Sequence, residues 1–449
     1  MKSVLVLGAG MVAKPLVEYL LENGIFINLA CNTCDNAEKI LNNHENGVVV
    51  YWEATQTGLL EEMVKGSDLV VSLLPYGLHP GIARVCLKYK KPMVTTSYVC
   101  DEMASMDEEA RQAGVLILNE IGLDPGIDHM SAKRIIDEVH RRRGKIIEFY
   151  SLCGALPSPE YAGNPFRYKF SWSPKGVILA SKNSARYKKD GKEVRVEPGD
   201  LFKDRFSYEF PGIGNMEVYP NRDSISYIDI YGIDEVRTMY RGTFRFKGWC
   251  EILDAMLNLK MLDDEVKDFS GMTFAEFVSG LLPQGKGRLK ERVAEQLGTG
   301  IDSLAIVAFD WLGLFSNNEM GYGESTAFQI VSDLMINKMM LQDNESDMIL
   351  LQHLFLVEHE GGKREVISSH MTDYGSPATN TSIARTVGLP AAIASKMILD
   401  GRITATGVRR PVIPEIYLPV LDELSQLNIK VIEESGLDEA RSGIIPGKR

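Results

Sequence analysis

Gly8-Ala9-Gly10-Met11-Val12-Ala13 sets two glycines and an alanine where a chain can turn from a strand into a helix around a phosphate. Gly8 permits the tight turn, Gly10 lets backbone approach a pyrophosphate, and Ala13 allows close packing of helix on sheet. The following helix, Pro15 to Asn23, directs its N-terminus at the anion. A GxGxxA alone says little. One that follows the apolar run Val4 to Leu7 and opens a repeated strand and helix pattern predicts dinucleotide binding. An acid after the second strand suits the ribose of NAD, and a cation suits the phosphate of NADP. Asn32 and Thr33 stand there, with no acid to repel a phosphate and no Arg to pair with it, and Lys39 lies one turn further on. The sequence leans to NADP, with NAD as the alternative.

Ligands of open α/β sheets bind beyond the carboxyl ends of the strands, which singles out Thr95-Thr96-Ser97-Tyr98 and Glu120-Ile121-Gly122-Leu123-Asp124-Pro125-Gly126. Asp124 before Pro125 also reads as an N-cap and first helical residue for a helix running toward His140. Cys31 and Cys34 form the one CxxC; without a second pair it lacks the pattern of a zinc ribbon, and a structural role is expected. No metal site is expected.

Elements able to position these residues follow from the hydrophobic pattern. Apolar runs at Val4 to Leu7, Ile25 to Cys31, Gly47 to Tyr51, Leu69 to Leu73, Met93 to Thr96 and Val115 to Leu118 alternate with helical stretches. Continuous apolar strands imply a parallel sheet covered on both faces, hence a Rossmann-like doubly wound α/β domain over 1–125. From about Lys145 the texture turns to Tyr/Phe/Ser-rich strand signals, including the alternation Tyr227, Asp229, Tyr231 and the run Thr243 to Phe246. Residues 126–265 and 346–383 are expected to form a mixed α+β substrate-binding and dimerisation domain. A helical insertion fills 266–345, with segments such as Leu289 to Gln296 and Thr326 to Met340, before a strand pair near Met348 to Glu358 and Arg364 to Ser369. Residues 384–449 are expected to return to the first domain.

With 449 residues, 45% hydrophobic and 24% charged, the chain has the composition of a multi-domain globular protein. Its net charge of −12 offers no basic stripe for nucleic acid, and Arg141, Arg142 and Arg143 read as a solvated helix end. No apolar run approaches the roughly 20 residues of a membrane span, and the six cysteines lack a disulfide framework. A cytoplasmic protein that binds neither membrane nor nucleic acid is expected.

Four segments in one order, EIGLDPGIDH from Glu120, YKFSWSPKG from Tyr168, YPNRDS from Tyr219 and RGTFRF from Arg241, resemble the saccharopine reductase (glutamate-forming saccharopine dehydrogenase) family. Matches at Ser72 to Pro75, Asn164-Pro165 and Thr386 to Pro390 extend the similarity over essentially the whole chain. The resemblance implies an NAD(P)-dependent oxidoreductase, typically a homodimer, interconverting saccharopine with glutamate and 2-aminoadipate semialdehyde in lysine metabolism. It further implies that Gly8, Gly10, Met11, Asn32, Thr33, Glu53, Leu73 and Trp172 line the cofactor, and that Ser97, Tyr98, Leu123, Asp124, Arg222, Thr243 and Arg245 meet saccharopine. Two departures stand out: NADP-using members often carry Arg at the position of Asn32, and Ser376 to Ser382 is shorter than in relatives.

Saccharopine has three carboxylates and two amines, so an acidic protein must gather cations locally to hold it. Arg222 and Arg245 suit this, since guanidinium grips carboxylate with two charge-assisted bonds. The secondary amine must be neutral before hydride leaves its carbon, and water must add to the imine that results. Asp124, Tyr98 and Cys153 are the candidates for that proton traffic. Cys153 also suits a small buried apolar role, Tyr98 a simple hydrogen-bond donor, and His129 a packed position. The competing readings are a carboxynorspermidine dehydrogenase-like imine reductase and a non-catalytic dinucleotide-binding regulator.

Overall fold

A computed structural model describes residues 1–377 and 379–438. Seven parallel strands form the first sheet, in the order Gly407–Arg409, Leu116–Leu118, Met93–Thr95, Leu69–Ser72, Ser3–Leu7, Phe26–Cys31, Gly47–Tyr51. Both faces are covered, which is why these strands are apolar at consecutive positions. Val4 and Val6 pack with the helices Ala13–Glu22, Ser382–Leu399 and Pro414–Gln426, while Leu5 and Leu7 pack with Thr57–Gly66 and His79–Lys88. The strand order reverses at Ser3–Leu7, so a crevice opens between its end and that of Leu69–Ser72.

The second sheet runs Phe206–Phe210, Gly214–Pro220, Thr238–Phe246, Lys145–Pro157, Asp347–Glu358, Arg364–Tyr374, Ile432–Leu437, with the hairpin Ala185–Lys189 and Lys192–Val196 added at Thr238–Phe246. Along that path all neighbours are antiparallel except Thr238–Phe246 beside Lys145–Pro157. One face carries an aromatic core shared with the helices Phe274–Gly280, Leu289–Leu297, Leu304–Leu312 and Ala327–Met339. Thr273 and Thr326 cap two of these helices through their side chains. A two-stranded ribbon, Val266–Asp268 with Glu324–Thr326, lies among them.

Two local readings are corrected. Tyr227, Asp229 and Tyr231 do not alternate along a strand but lie on the helix Ser226–Tyr231. Tyr227 and Tyr231 are four residues apart and share the buried face of one turn, while Asp229 is exposed. Asp223 fixes the start, its Oδ1 accepting from the Ile225 amide at 2.8 Å. After Gly407–Arg409 joins the parallel sheet, the chain crosses again, and Ile432–Leu437 pairs with Arg364–Tyr374. Residues 439–449 of that expected return, and Ala378 in the segment Ser376 to Ser382, lie outside the described residues.

Helix Ser382–Leu399 is long and apolar enough to cross a membrane, but 67% of it is buried inside the protein. At Gly388 it touches the first helix so closely that a Cβ would stand 2.9 Å from the Val12 carbonyl oxygen.

Candidate active site between the two sheets

At the cofactor turn Gly8 has φ +104°, a conformation that strains any L side chain, and a Cβ there would meet the Leu73 carbonyl at 3.4 Å. Gly10 has nothing within 4 Å of where its Cβ would be, so a ligand can lie against its backbone. The Gly8 amide donates to the Ala30 carbonyl at 2.9 Å, and the Asn36 side chain donates to the Ala9 carbonyl at 2.5 Å, tying the turn to the neighbouring strand and helix. Ala13 opens the helix and is fully buried. Met11, Asn32, Thr33 and Glu53 are exposed around this turn, and Leu73 is half-buried beside it. Half-buried Trp172 packs against the cores of both sheets. An open glycine turn over a helix N-terminus, with uncharged Asn32 and Thr33 after the neighbouring strand Phe26–Cys31, fits an NADP molecule.

Across the crevice Arg241, 2% exposed, is the hub. Its guanidinium bonds the Asp124 carboxylate, reaches the Tyr98 hydroxyl at 3.2 Å, stands 3.9 Å from Asp128 Oδ2, and lies 4.1 Å from the centroid of the Tyr227 ring. The Tyr98 hydroxyl donates to Asp124 Oδ1 at 3.3 Å. Burial pushes the Tyr98 phenol up, which keeps it protonated and a donor. Fully buried Asp128 accepts from the Gly126 amide at 2.6 Å, and burial pushes its carboxyl up to about 6.

Behind it, His129 Nε2 is 2.7 Å from Glu120 Oε2 and its Nδ1 2.9 Å from the Tyr231 hydroxyl, with its ring stacked on Tyr227. Glu120 Oε1 accepts from Arg410 and from the Val99 amide, both at 2.8 Å. Burial opposes charge on both partners, but the bond to His129 outweighs it for Glu120, and the charge of Asp128 together with the bond to Glu120 outweighs it for His129, holding Glu120 below and His129 above their ordinary values. This frame sets the orientation of the segment carrying Asp124.

Arg245, two positions along the strand from Thr243 and four from Arg241, shares their face. It is 5% exposed and packed among the rings of Tyr168, Tyr219 and Trp249, at 4.9, 5.8 and 5.4 Å. NH1 donates to the Phe244 carbonyl, while Nε has no partner among the described residues. Its cross-strand neighbour Glu217 turns instead to Arg205 and to the amides of Gly248 and Cys250. A buried guanidinium without an acid is ready for a carboxylate from outside. Cys153 pairs with Thr243 on the adjoining strand; burial pushes its thiol well up, so it is neutral and no base. Exposed Arg222 lies 5.6 Å from the centre of the Tyr98 ring.

Residues 4–118 match the family described as the saccharopine dehydrogenase NADP binding domain, and residues 122–429 match the saccharopine dehydrogenase C-terminal domain. The chain belongs to the saccharopine dehydrogenase family. It is 39% identical over 436 residues to the NADP-dependent, L-glutamate-forming saccharopine dehydrogenase of Saccharomyces cerevisiae, covering 94% of this chain and 96% of that one. It is 36% identical over 435 residues to the mitochondrial alpha-aminoadipic semialdehyde synthase of Mus musculus, covering 94% of this chain but 46% of that longer one. The solved apo structure of the S. cerevisiae L-glutamate-forming enzyme superposes with a TM-score of 0.89 at 36% identity, over 97% of this chain and 100% of that one. The Rossmann-like sheet with a mixed second sheet and helices is thus the fold of this family.

In this member of the family, Ser97, Tyr98, Leu123, Asp124, Thr243, Arg245 and Cys153 gather where the parallel strands end against the mixed sheet, and Arg222 borders the group from the surface. One expectation for Asp124 is corrected: it does not cap a helix beginning at Pro125. The Asp124-Pro125 peptide is cis, the helix spans Ile127–Arg141, and Asp128 bonds the Gly126 amide at the helix start. Sequence reasoning missed Arg241, Asp128 and the Glu120 frame. Arg241 was accessible to it, because strand alternation places 241, 243 and 245 on one face. Cys31 and Cys34 are free thiols with Sγ atoms 3.3 Å apart, and among the described residues no group of three or more His, Cys, Asp or Glu could hold a metal.

Proposed function

We propose that this chain oxidises saccharopine to glutamate and 2-aminoadipate semialdehyde with NADP, NAD being the poorer alternative, or runs the reverse reductive condensation in lysine metabolism. The observation that carries this reading is Arg245, a buried guanidinium walled by three aromatic rings with no acid among the described residues to neutralise it. NADP, when bound over Gly8 and Gly10, supplies the hydride acceptor. Met11, Asn32, Thr33, Glu53, Leu73 and Trp172 form the walls that orient it.

Arg245 holds one substrate carboxylate in the interior and Arg222 another at the mouth, with Thr243, Ser97 and Leu123 between them. Asp124 takes the proton from the secondary amine, and Tyr98 and Arg241 keep its carboxylate aimed at that nitrogen. The carbon then gives up a hydride, one proton with the two bonding electrons, to the nicotinamide, leaving an iminium. Water adds to this iminium and loses one proton to give a carbinolamine; the nitrogen then takes up a proton, and as the hydroxyl gives up its own the carbon-nitrogen bond breaks to release glutamate and the aldehyde. Cys153, neutral and buried, shapes the floor of the site.

The test is turnover of purified protein with saccharopine and each cofactor, with products identified. Glutamate and reduced NADP are expected; lysine with 2-oxoglutarate, or no turnover, overturns the reading. We further infer a homodimer in the cytoplasm. The family resemblance supports the first, checked by light scattering; cell fractionation checks the second.

A further inference from the structure

Two strand ends wall the crevice. Leu69–Ser72 leads into Leu73 on the cofactor side, and Met93–Thr95 leads into Ser97 and Tyr98 on the substrate side. Between them lies His79, which opens the helix His79–Lys88 after the turn Tyr76–Leu78 and is 2% exposed. Its Nδ1 is 3.0 Å from Ser72 Oγ, and its Nε2 is 2.9 Å from Ser97 Oγ and 3.2 Å from Thr95 Oγ1. Burial lowers its pKa to about 4, so the ring is neutral at physiological pH, with one N–H and one lone pair.

A neutral imidazole between hydroxyls allows two consistent orders of donation. With the proton on Nδ1 the ring donates to Ser72 and Nε2 accepts from Ser97 or Thr95, so the ring draws on the Ser97 proton. With the proton on Nε2 the ring donates to Ser97, whose own proton is then free to point into the crevice. The tautomer with the proton on Nε2 therefore leaves Ser97 free to offer a donor to a ligand.

We propose that His79 is a positioning residue that joins the Leu73 wall of the cofactor site to the Ser97 and Tyr98 wall of the substrate site and directs the Ser97 hydroxyl at the bound substrate. This rests on the proposed oxidation of saccharopine, and it adds to the site a residue whose action passes through Ser97. A buried imidazole with three hydroxyl contacts ties both strand ends together, and a misplacement of about 1 Å at a reacting site can cost about a hundredfold in rate.

The experiment is a double-mutant cycle on the full chain, with His79→Leu, Ser97→Ala and the pair, and with His79→Gln as the conservative variant. His79→Leu should lower kcat/KM for saccharopine at least about tenfold while the Kd for NADP stays within about threefold. His79→Gln, whose amide reaches Ser97, should recover about threefold or more, and adding Ser97→Ala to His79→Leu should cost no more than about twofold further. The pH profile of kcat/KM should keep both limbs of the parent.

Parent-like turnover in folded His79→Leu, losses that multiply in the pair, or the disappearance of a pH limb would each overturn the proposal. If His79→Leu has no cooperative melt, the cycle of His79→Gln with Ser97→Ala decides by the same criterion. A parent that turns over no saccharopine sinks the functional reading and this proposal with it; an active parent with multiplicative losses sinks this proposal alone.

Discussion

Asp124 and Arg241 depend on each other, and this changes what a substitution should do. Were Asp124 a helix cap, Asn would replace it at almost no cost. It holds instead a buried guanidinium whose other acid, Asp128, is 3.9 Å away. Asp124→Asn should therefore lower stability by about 1 to 3 kcal/mol as well as turnover by about tenfold or more, the latter equal to about 1.4 kcal/mol in the barrier. Melting and saccharopine turnover on the same sample check both parts; preserved turnover would remove Asp124 from the proton traffic. Arg245→Ala should raise KM for saccharopine by far more than it changes the Kd for NADP, since a buried carboxylate losing a charged partner forfeits about 2 to 5 kcal/mol. Exposed Arg222 should cost less on truncation, because water screens what it holds. Asn32→Arg should raise kcat/KM with NADP relative to NAD by pairing with the extra phosphate; an unchanged ratio would place Asn32 away from the ribose. At this scale the sequence was legible where a motif had a backbone reason, as in the left-handed turn at Gly8; Arg245 it named for its charge, and the burial of that charge is what the structure adds. The sequence placed Glu120 in a candidate segment and Asp128 in a matched motif but could not name their partners, which include residues as distant in the chain as Arg241 and Arg410.

Periodicity carried most of the information about elements. The six apolar runs of the amino-terminal region fall on observed strands within one or two residues at each end, because helices cover both faces of the sheet's interior strands and leave few positions there for polar residues. The helix Ser226–Tyr231 was misread because two tyrosines flanking an acid satisfy period two as well as a single turn, and six residues are too few for the periods to separate. The contact between Ala13–Glu22 and Ser382–Leu399 was out of reach, since nothing in Thr386 to Pro390 names its partner. Its importance can be measured. Gly388→Ala would push a methyl to within 2.9 Å of the Val12 carbonyl and 3.3 Å of the Leu16 amide, both backbone atoms that cannot swing aside. A loss of about 1 to 3 kcal/mol is expected, read as a lower melting temperature, and weaker NADP binding should accompany it because the same helix begins at the glycine turn. An unchanged melting temperature would mean that the two helices separate freely.

For the whole molecule, two buried histidines weaken the fold in acid, while His129, held above its ordinary value, acts against them. His79 is held to about 4 and His353, fully buried against Ser131, to about 3, both by burial. In the unfolded chain each protonates near 6.5, so below that pH the unfolded state binds more protons and stability falls as pH falls, by up to about 1.4 kcal/mol per unit for each histidine. Asp128, pushed up to about 6, acts in the opposite sense, taking stability away as pH rises from about 4 to 6. His353→Gln should make the decline in melting temperature between pH 6.5 and 4 shallower than in the parent; parallel curves would show that His353 is already charged in the fold.

The path of the chain has a mechanical consequence. It leaves the parallel sheet after Leu116–Leu118, returns at Gly407–Arg409, and departs once more to Ile432–Leu437, so three separate spans, each containing a helix, join the two bodies. A single span is a swivel, whereas three that attach at different points leave only rotation about an axis common to all. Gripping a substrate must then be a small rocking of preformed halves. The same lacing denies either half an independent existence, since cutting one span in native protein releases nothing, and the halves should melt in one transition on calorimetry.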